Sequence, residues 1–163
     1  MEHLSLRMCC LGLLLAVPGA TQNLFTEVPI DIPLPPSRGI ACGDYDNDQW
    51  PDIFLAGQNQ INQSSRAVLL GNQGNGRFVD QTALIELGFV PQNDNGNGVI
   101  FGDYDNDNDL DLYVTKGWLY TSARDRLLRN DQGRFTDVTL AAGLTDSLPS
   151  GTAIWLAYDR DGY

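Results

Sequence analysis

Short apolar runs separated by polar loops follow one another along the chain after its first 20 residues. They are rich in β-branched and aromatic residues and lie between Gly, Asn and Asp, a composition that predicts β-strands. The clearest runs are IFLAG at 53–57, VIFG at 99–102, DLYVT at 111–115 and LYT at 119–121. Helical periodicity is weak, and only 83–87 and 138–144 are compatible with a helical turn. The pattern therefore predicts an all-β chain.

The same order of features occurs more than once. Phe25, Phe78 and Phe135 lie 53 and 57 residues apart, and an acidic residue follows each of them at the second position. Each phenylalanine leads through a variable segment to an apolar run and then to an acidic loop. The sequence thus contains a repeat of about 55 residues. We place its copies at 25–77 and 78–134, with a partial third copy at 135–163.

A repeat of roughly 40 to 55 residues with several short strands is typical of one β-propeller blade. We therefore predict a partial β-propeller of about two and a half blades, each a four-stranded antiparallel sheet. A β-sandwich of short strands is the alternative. Propellers close with about four to eight blades, so we expect a fragment of a longer protein, or several copies completing one ring. A lone copy with open sheet edges is expected to be marginally stable and to aggregate.

Two acidic loops occupy matching places in the repeats and share the pattern D-x-D-x-D-x-x-x-D. Alternating carboxylates in a tight turn converge on one point, and the backbone carbonyl at position 7 adds another oxygen. Ca²⁺ prefers a shell of about six to eight such hard oxygens, whereas Mg²⁺ tends to keep its waters. A solvated acidic loop is the alternative for a single copy. The predicted ligands are Asp44, Asp46, Asp48, Asp52 and the Trp50 carbonyl, and Asp103, Asp105, Asp107, Asp111 and the Asp109 carbonyl.

These loops differ from an EF-hand, because position 12 is Leu55 or Val114 instead of Glu and the flanks are predicted strands. Position 6 needs a left-handed backbone, which Gly adopts most easily and Asn more easily than other residues. Gln49 occupies this position in the first loop and Asn108 in the second. We therefore predict that the first loop is the weaker or more strained of the two.

A third acidic loop begins within IWLAYDRDGY at 154–163. Ala157 replaces the first aspartate, while Asp159 and Asp161 keep the third and fifth positions and Gly162 the sixth. The sequence ends before the ninth position is reached. We predict an incomplete site there, with Asp159 and Asp161 as its ligands.

The first 20 residues have the features of a secretory signal peptide. The apolar run from Met8 to Val17 is too short to span a bilayer, and small residues suitable for cleavage follow it. Cleavage would remove the single histidine, which excludes histidine-dependent hydrolysis and a histidine zinc site in the mature chain. It would also leave Cys42 as the last cysteine, which we expect to be a small buried strand residue.

The net charge of −11 changes the list of possible partners. Nucleic acids and anionic lipid surfaces attract basic patches, so we expect neither of them as a partner. No stretch after the leader is long and apolar enough for a membrane helix.

The segments GDYDNDQWPDIFLAG, GDYDNDNDLDLYVT, LLGNQGNGRFVDQTA and RLLRNDQGRFTDVTLAAGL resemble the FG-GAP/VCBS repeat family. The resemblance covers nearly all of 21–163 and is of the type often associated with an ASPIC/UnbV domain, although no ASPIC/UnbV segment is visible here. It implies a propeller like that of the integrin α-subunit head, Ca²⁺ bound within the blades, and an extracellular role in adhesion or ligand binding.

We therefore expect an extracellular calcium-binding repeat module. Ca²⁺ would stabilise its blades, and its rim loops would contact a protein or a glycan. The alternative is an accessory or non-catalytic domain of a secreted carbohydrate-active enzyme, and a periplasmic or cell-surface scaffold without a ligand of its own also remains open. We do not expect catalysis by this chain, because its conspicuous carboxylates already belong to the loop pattern.

Overall fold

The computed structural model of the chain describes residues 30–34, 37–57, 67–85, 98–116, 124–148 and 150–156. Its larger compact unit runs from Pro33 to Tyr163, and the described residues before it, 30–32, form no strand or helix. Within the described ranges, regular structure consists of eight β-strands and a 3₁₀ turn at Thr82–Leu84. No helix in those ranges is long and apolar enough to cross a membrane. The prediction of an all-β chain is confirmed.

The strands form two antiparallel sheets of four strands, and each sheet is contiguous in sequence. The first contains, in order, β1 (Ser37–Gly43), β2 (Asp52–Gly57), β3 (Val68–Asn72) and β4 (Phe78–Asp80). The second contains, in order, β5 (Val99–Gly102), β6 (Asp111–Val114), β7 (Arg126–Asp131) and β8 (Arg134–Asp137). Each sheet is thus an up-and-down blade, whereas Greek-key sandwiches exchange strands between their sheets. The partial propeller is the correct alternative.

The two blades pack against each other through one apolar cluster. Side chains alternate between the faces of a strand, so Phe54 on β2 and its cross-strand partner Leu69 on β3 share one face. That face contributes to the cluster, and the ring of Tyr45 packs 5.6 Å from that of Phe135. The buried members are Tyr45, Phe54, Ala56, Leu69, Ile85, Leu112, Val114, Leu128 and Phe135. The core therefore lies between the blades, as in a propeller.

A glycine at the end of the first strand of each blade lets the next repeat approach closely. A Cβ atom at Gly43 would lie 2.8 Å from Cδ2 of Phe101 on β5, which leaves no room for a side chain. Gly102 has the same place in the second blade, and the indole of Trp155 covers it. Trp155, in the predicted third repeat, therefore contacts the second blade much as Phe101 contacts the first. The strand predicted before the third loop is nevertheless not formed over the described residues 151–156.

Three local predictions meet different outcomes. Cys42 is exposed, so the prediction that it is buried is wrong. It lies on edge strand β1 and shares a face with Ile40, whose side chain is 48% exposed. Helical turns do occur at Thr82–Leu84 and near 138–144, where the Ala142 N–H donates to the Val138 carbonyl at 2.8 Å. The predicted strand at 119–121 lies outside the described residues.

We expect Leu69→Ala to lower the free energy of unfolding by about 2–5 kcal/mol, because it opens a cavity between the two blades. Leu140→Ala is the matched control: Leu140 is 64% exposed, and truncation there is expected to change stability by less than about 0.5 kcal/mol. Urea unfolding measures both, with the midpoint falling at a constant slope. Equal effects of the two substitutions would contradict this placement of the core.

Candidate metal centre

The two acidic loops join the first and second strands of each blade, over 44–51 and 103–110. In the first loop, the Asp44 carboxylate accepts hydrogen bonds from the Asp48 N–H at 3.0 Å and the Gln49 N–H at 2.8 Å. In the second, Asp103 accepts from the residues at the same two positions, at 3.2 and 3.0 Å. The carboxylate at position 1 thus ties each loop into a tight turn, and both loops share this bonding.

Left-handed backbone conformations curl both loops. Gln49 and Asn108 at position 6 have φ of 75° and 71°, which confirms the prediction of a left-handed residue there. Position 4 is left-handed as well, with φ of 60° at Asn47 and 61° at Asn106. Asn tolerates this region better than most residues, so the shared asparagine at position 4 was a signal that the sequence analysis missed. The side chains that this backbone brings close together are those at positions 1, 3 and 5 in the first loop and those at positions 1, 3 and 9 in the second.

The aspartate at position 9 closes each loop from inside the blade. Asp52 and Asp111 are the first residues of β2 and β6, and each is fully buried. The two oxygens of Asp52 accept from the Tyr45 N–H at 3.1 Å and the Asn72 N–H at 2.8 Å. Those of Asp111 accept from the equivalent groups of Tyr104 and Asn130 at 2.8 and 2.7 Å. One carboxylate therefore joins the loop to both the second and the third strand.

Two asparagines on the third strands support the loops, and the sequence analysis missed them. The side chain of Asn72 donates to the Pro51 carbonyl at 3.0 Å and accepts from the Gly74 N–H at 3.0 Å. Asn130 likewise donates to the Leu110 carbonyl at 3.1 Å and accepts from a glycine N–H. Their signal is the asparagine shared by the segments LLGN and LLRN in the two repeats.

Carboxylate oxygens of three aspartates lie within 4.8 Å of one another in each loop. The groups are Asp44, Asp46 and Asp48 in the first loop, and Asp103, Asp105 and Asp111 in the second. Asp52 and Asp107 belong to the predicted ligand sets but not to these groups; an oxygen of Asp107 accepts from the Asp109 N–H at 2.8 Å. Trp50 has its side chain 49% exposed. The predicted third-loop ligands, Asp159 and Asp161, lie outside the described residues.

The electrostatics of both loops disfavour a full set of negative charges. Burial raises the pKa of Asp52 and of Asp111 to about 6, against an opposing effect of the backbone N–H groups that donate to them. The pKa of Asp46 and of Asp105 is also raised, first by burial and then by neighbouring aspartates of the same loop. A divalent cation would relieve this repulsion, and the side-chain donors are all hard oxygens, which suit Ca²⁺ better than thiolate- or imidazole-seeking metals.

A family model described as an FG-GAP-like repeat matches residues 25–114, which is more than half of the chain. The chain belongs to the FG-GAP-like repeat family. The matched FG-GAP-like range contains both acidic loops and strands β1 to β6. A search of curated proteins finds no match. Association with an ASPIC/UnbV domain is not tested by this match and stays a prediction.

In the metal-free FG-GAP-like chain, we expect the free energy of unfolding to fall as pH rises from about 4 to about 7. Asp52 and Asp111 have folded-state pKa values of about 6. Because these lie above the ordinary value of 3.8, the folded chain holds protons that the unfolded chain has already released. Urea unfolding in the presence of a chelator, at several pH values, measures the slope.

The double variant Asp52→Asn, Asp111→Asn should have a flatter pH dependence, because it lacks both of these titrating groups. Asp131→Asn removes an exposed carboxylate on β7 and should keep the original slope. A stability that rises over this pH range in the chelated wild-type chain would contradict the argument.

Exchanging the residue types at position 6 of the two loops, Gln49 and Asn108, tests whether backbone strain distinguishes the loops. Gln49→Asn should stabilise the chain and Asn108→Gln should destabilise it, each by about 0.5–1 kcal/mol, because Asn fits a left-handed backbone better. Urea midpoints in chelator measure both changes without any contribution from metal. If both substitutions changed the free energy of unfolding in the same direction, the left-handed conformation would not be what distinguishes the two loops.

Proposed function

We propose that the chain is an extracellular calcium-binding repeat module, in which Ca²⁺ stabilises the blades and the rim loops contact a protein or a glycan. The observation that carries the proposal is the repetition of one acidic loop. In both loops, backbone N–H groups donate to the position 1 carboxylate, the same positions are left-handed, and three carboxylates converge. A merely solvated acidic surface would not need to reproduce these details in two blades.

The proposed ligands in each loop are the aspartates at positions 1, 3, 5 and 9 and the backbone carbonyl at position 7. Their converging members supply oxygens on a left-handed turn, and Ca²⁺ tolerates the irregular geometry that such a turn offers. The remaining members would complete the shell. These sets are Asp44, Asp46, Asp48, Asp52 with Trp50, and Asp103, Asp105, Asp107, Asp111 with Asp109.

Calcium would act on stability through charge and through connectivity. It would cancel the mutual repulsion of the loop carboxylates and favour the ionised forms of Asp52 and Asp111, whose pKa values are otherwise raised. It would also tie the end of the first strand to the start of the second in each blade. Because only the folded loop gathers the ligands, binding is linked to folding.

The contact surface that we propose lies at the rim beside the first loop. Half of the Trp50 side chain is exposed, and its indole packs over Gly74, where a Cβ atom would lie 2.5 Å from Nε1. An aromatic ring held by packing on one side can offer its free area to a sugar ring or to an apolar side chain. This exposure also keeps open the alternative role as an accessory domain of a secreted carbohydrate-active enzyme.

The proposal also includes secretion of the chain and its assembly into a closed propeller. Residues 1–20 would act as a signal peptide, and Asp159 and Asp161 would belong to a third loop. A closed propeller needs more blades than the two sheets described here. These would come from a longer protein or from further copies.

The proposal is tested by titrating the full chain with Ca²⁺ by calorimetry and by following its melting temperature. With free Ca²⁺ at about 100 times the dissociation constant, each site should add about 2.7 kcal/mol of stability. Asp46→Asn and Asp105→Asn should each remove the heat of one site. Asp131→Asn should leave both sites in place, and Mg²⁺ should replace Ca²⁺ poorly.

The absence of both heat and a melting shift in the wild-type chain would overturn the calcium proposal. Hydrolysis of members of a glycan panel that is lost in chelator would favour the alternative, in which the chain is a domain of a secreted carbohydrate-active enzyme. Glycan binding that is lost in Trp50→Ala without a change in melting temperature would support the rim as the contact surface.

A further inference from the structure

Exposed hydrogen bonds from the Asn47 side chain join the two acidic loops, and the longer of them goes to the Asn108 carbonyl at 3.5 Å. Nδ2 of Asn47, at position 4 of the first loop, donates to Oδ1 of Asp109, at position 7 of the second, at 2.9 Å. The other oxygen of Asp109 accepts from the Gln132 N–H at 2.8 Å. Both oxygens of this carboxylate are therefore held by donors outside its own loop. One of the two donors belongs to the neighbouring blade.

The conformation of Asn47 depends on the conformation of the first loop. It lies between Asp46 and Asp48, two members of the first group of converging carboxylates. Its φ of 60° belongs to the same left-handed turn that brings those carboxylates together. Whatever orders Asp46 and Asp48 therefore also orders the backbone of Asn47, from which its side chain reaches Asp109.

Asp109 connects Asn47 to the second loop. Its carboxylate is clamped from outside the second loop, while its backbone carbonyl is a proposed ligand within it. A second contact between the loops keeps them at a constant separation, since the buried side chain of Asn130 donates to the Tyr45 carbonyl at 2.7 Å and to the Leu110 carbonyl at 3.1 Å. Movement of one loop is thus not independent of the other.

We infer that the two loops bind calcium cooperatively, with Asn47 as the positioning residue that holds Asp109 when the first loop is filled. The inference rests on the proposed calcium function. Filling the first loop would order Asn47, and Asn47 would preorganise the position 7 carbonyl of the second loop. By linkage, filling the second loop must raise the affinity of the first by the same factor.

Electrostatics alone predicts the opposite sign. A cation in one loop weakens the negative field at the other, so the second ion would bind less tightly. This effect is screened over about 8 Å at an ionic strength of 0.15 M. A hydrogen bond between adjacent groups is screened much less, so the positive coupling should be clearer at physiological salt than at low salt.

The test measures calcium affinity of the second loop by calorimetry on the full chain, with the first loop intact or disabled by Asp46→Asn. We expect disabling the first loop to weaken the second about fivefold or more, the usual lower range of coupling between sites. In an Asn47→Gly background, the same comparison should give less than about a twofold change. Gly is the chosen substitution because it accepts φ above zero without strain.

Asn106→Gly is the matched control, because Asn106 has the same conformation and the same place in the second loop as Asn47 has in the first. It should leave the coupling factor unchanged. Asn47→Asp provides a second way to break the link, since it places two carboxylates against each other. Adding Asp109→Asn to that variant should restore the coupling, because the new amide can donate to the carboxylate introduced at position 4 and still accept from the Gln132 N–H.

The outcomes separate the inference from the function on which it rests. If the wild-type chain binds no calcium, the proposed function fails and the inference fails with it. If both loops bind calcium, but Asp46→Asn leaves the affinity of the second loop unchanged, only the inference is overturned. Two results would overturn the role of Asn47. One is a coupling that persists in Asn47→Gly, and the other is a coupling that Asn47→Asp abolishes and the added Asp109→Asn does not restore.

Discussion

A buried carboxylate at the start of the second strand holds each blade together. Asp52 and Asp111 are fully buried, yet each accepts two backbone N–H groups, one from the acidic loop and one from the third strand. Such a carboxylate is costly to bury without these partners, because an unpaired buried charge loses its hydration. The loop, the second strand and the third strand must therefore be in their native places together. This requirement explains why the two loops share their geometry despite different sequences at positions 6 to 8.

The blades depend on each other as well as on these carboxylates. One face of the first sheet and one face of the second form a single apolar cluster, so neither sheet buries its residues alone. The glycines at the ends of β1 and β5 remove the side chain at the point where the next repeat arrives, under Phe101 and Trp155. The same contact occurs at successive repeats, which is how a propeller grows by adding one similar unit after another.

Negative charge is concentrated in the two acidic loops and at the buried strand residues that close them. The aspartates with raised pKa values lie in the loops or at the strand positions that close them, and burial is the first cause of each rise. Asp52 adjoins the converging carboxylates of the first loop, and Asp111 is itself one of the converging carboxylates of the second. Folding and cation binding would therefore favour the same loop conformation. In the coupling that we propose, the contact between Asn47 and Asp109 would extend that relation from one blade to the next.

The sequence by itself determined the all-β class, the repeat, the acidic loops and their left-handed position 6, because these follow from local composition and from spacing along the chain. It did not reveal the burial of Asp52 and Asp111, the supporting side chains of Asn72 and Asn130, or the contact between Asn47 and Asp109. It also placed Cys42 on the wrong side of its strand, since the face of an edge strand that becomes buried depends on which blade packs against it. Only the tertiary structure decided these features, because each joins residues that lie on different strands or in different blades, where no local pattern constrains them.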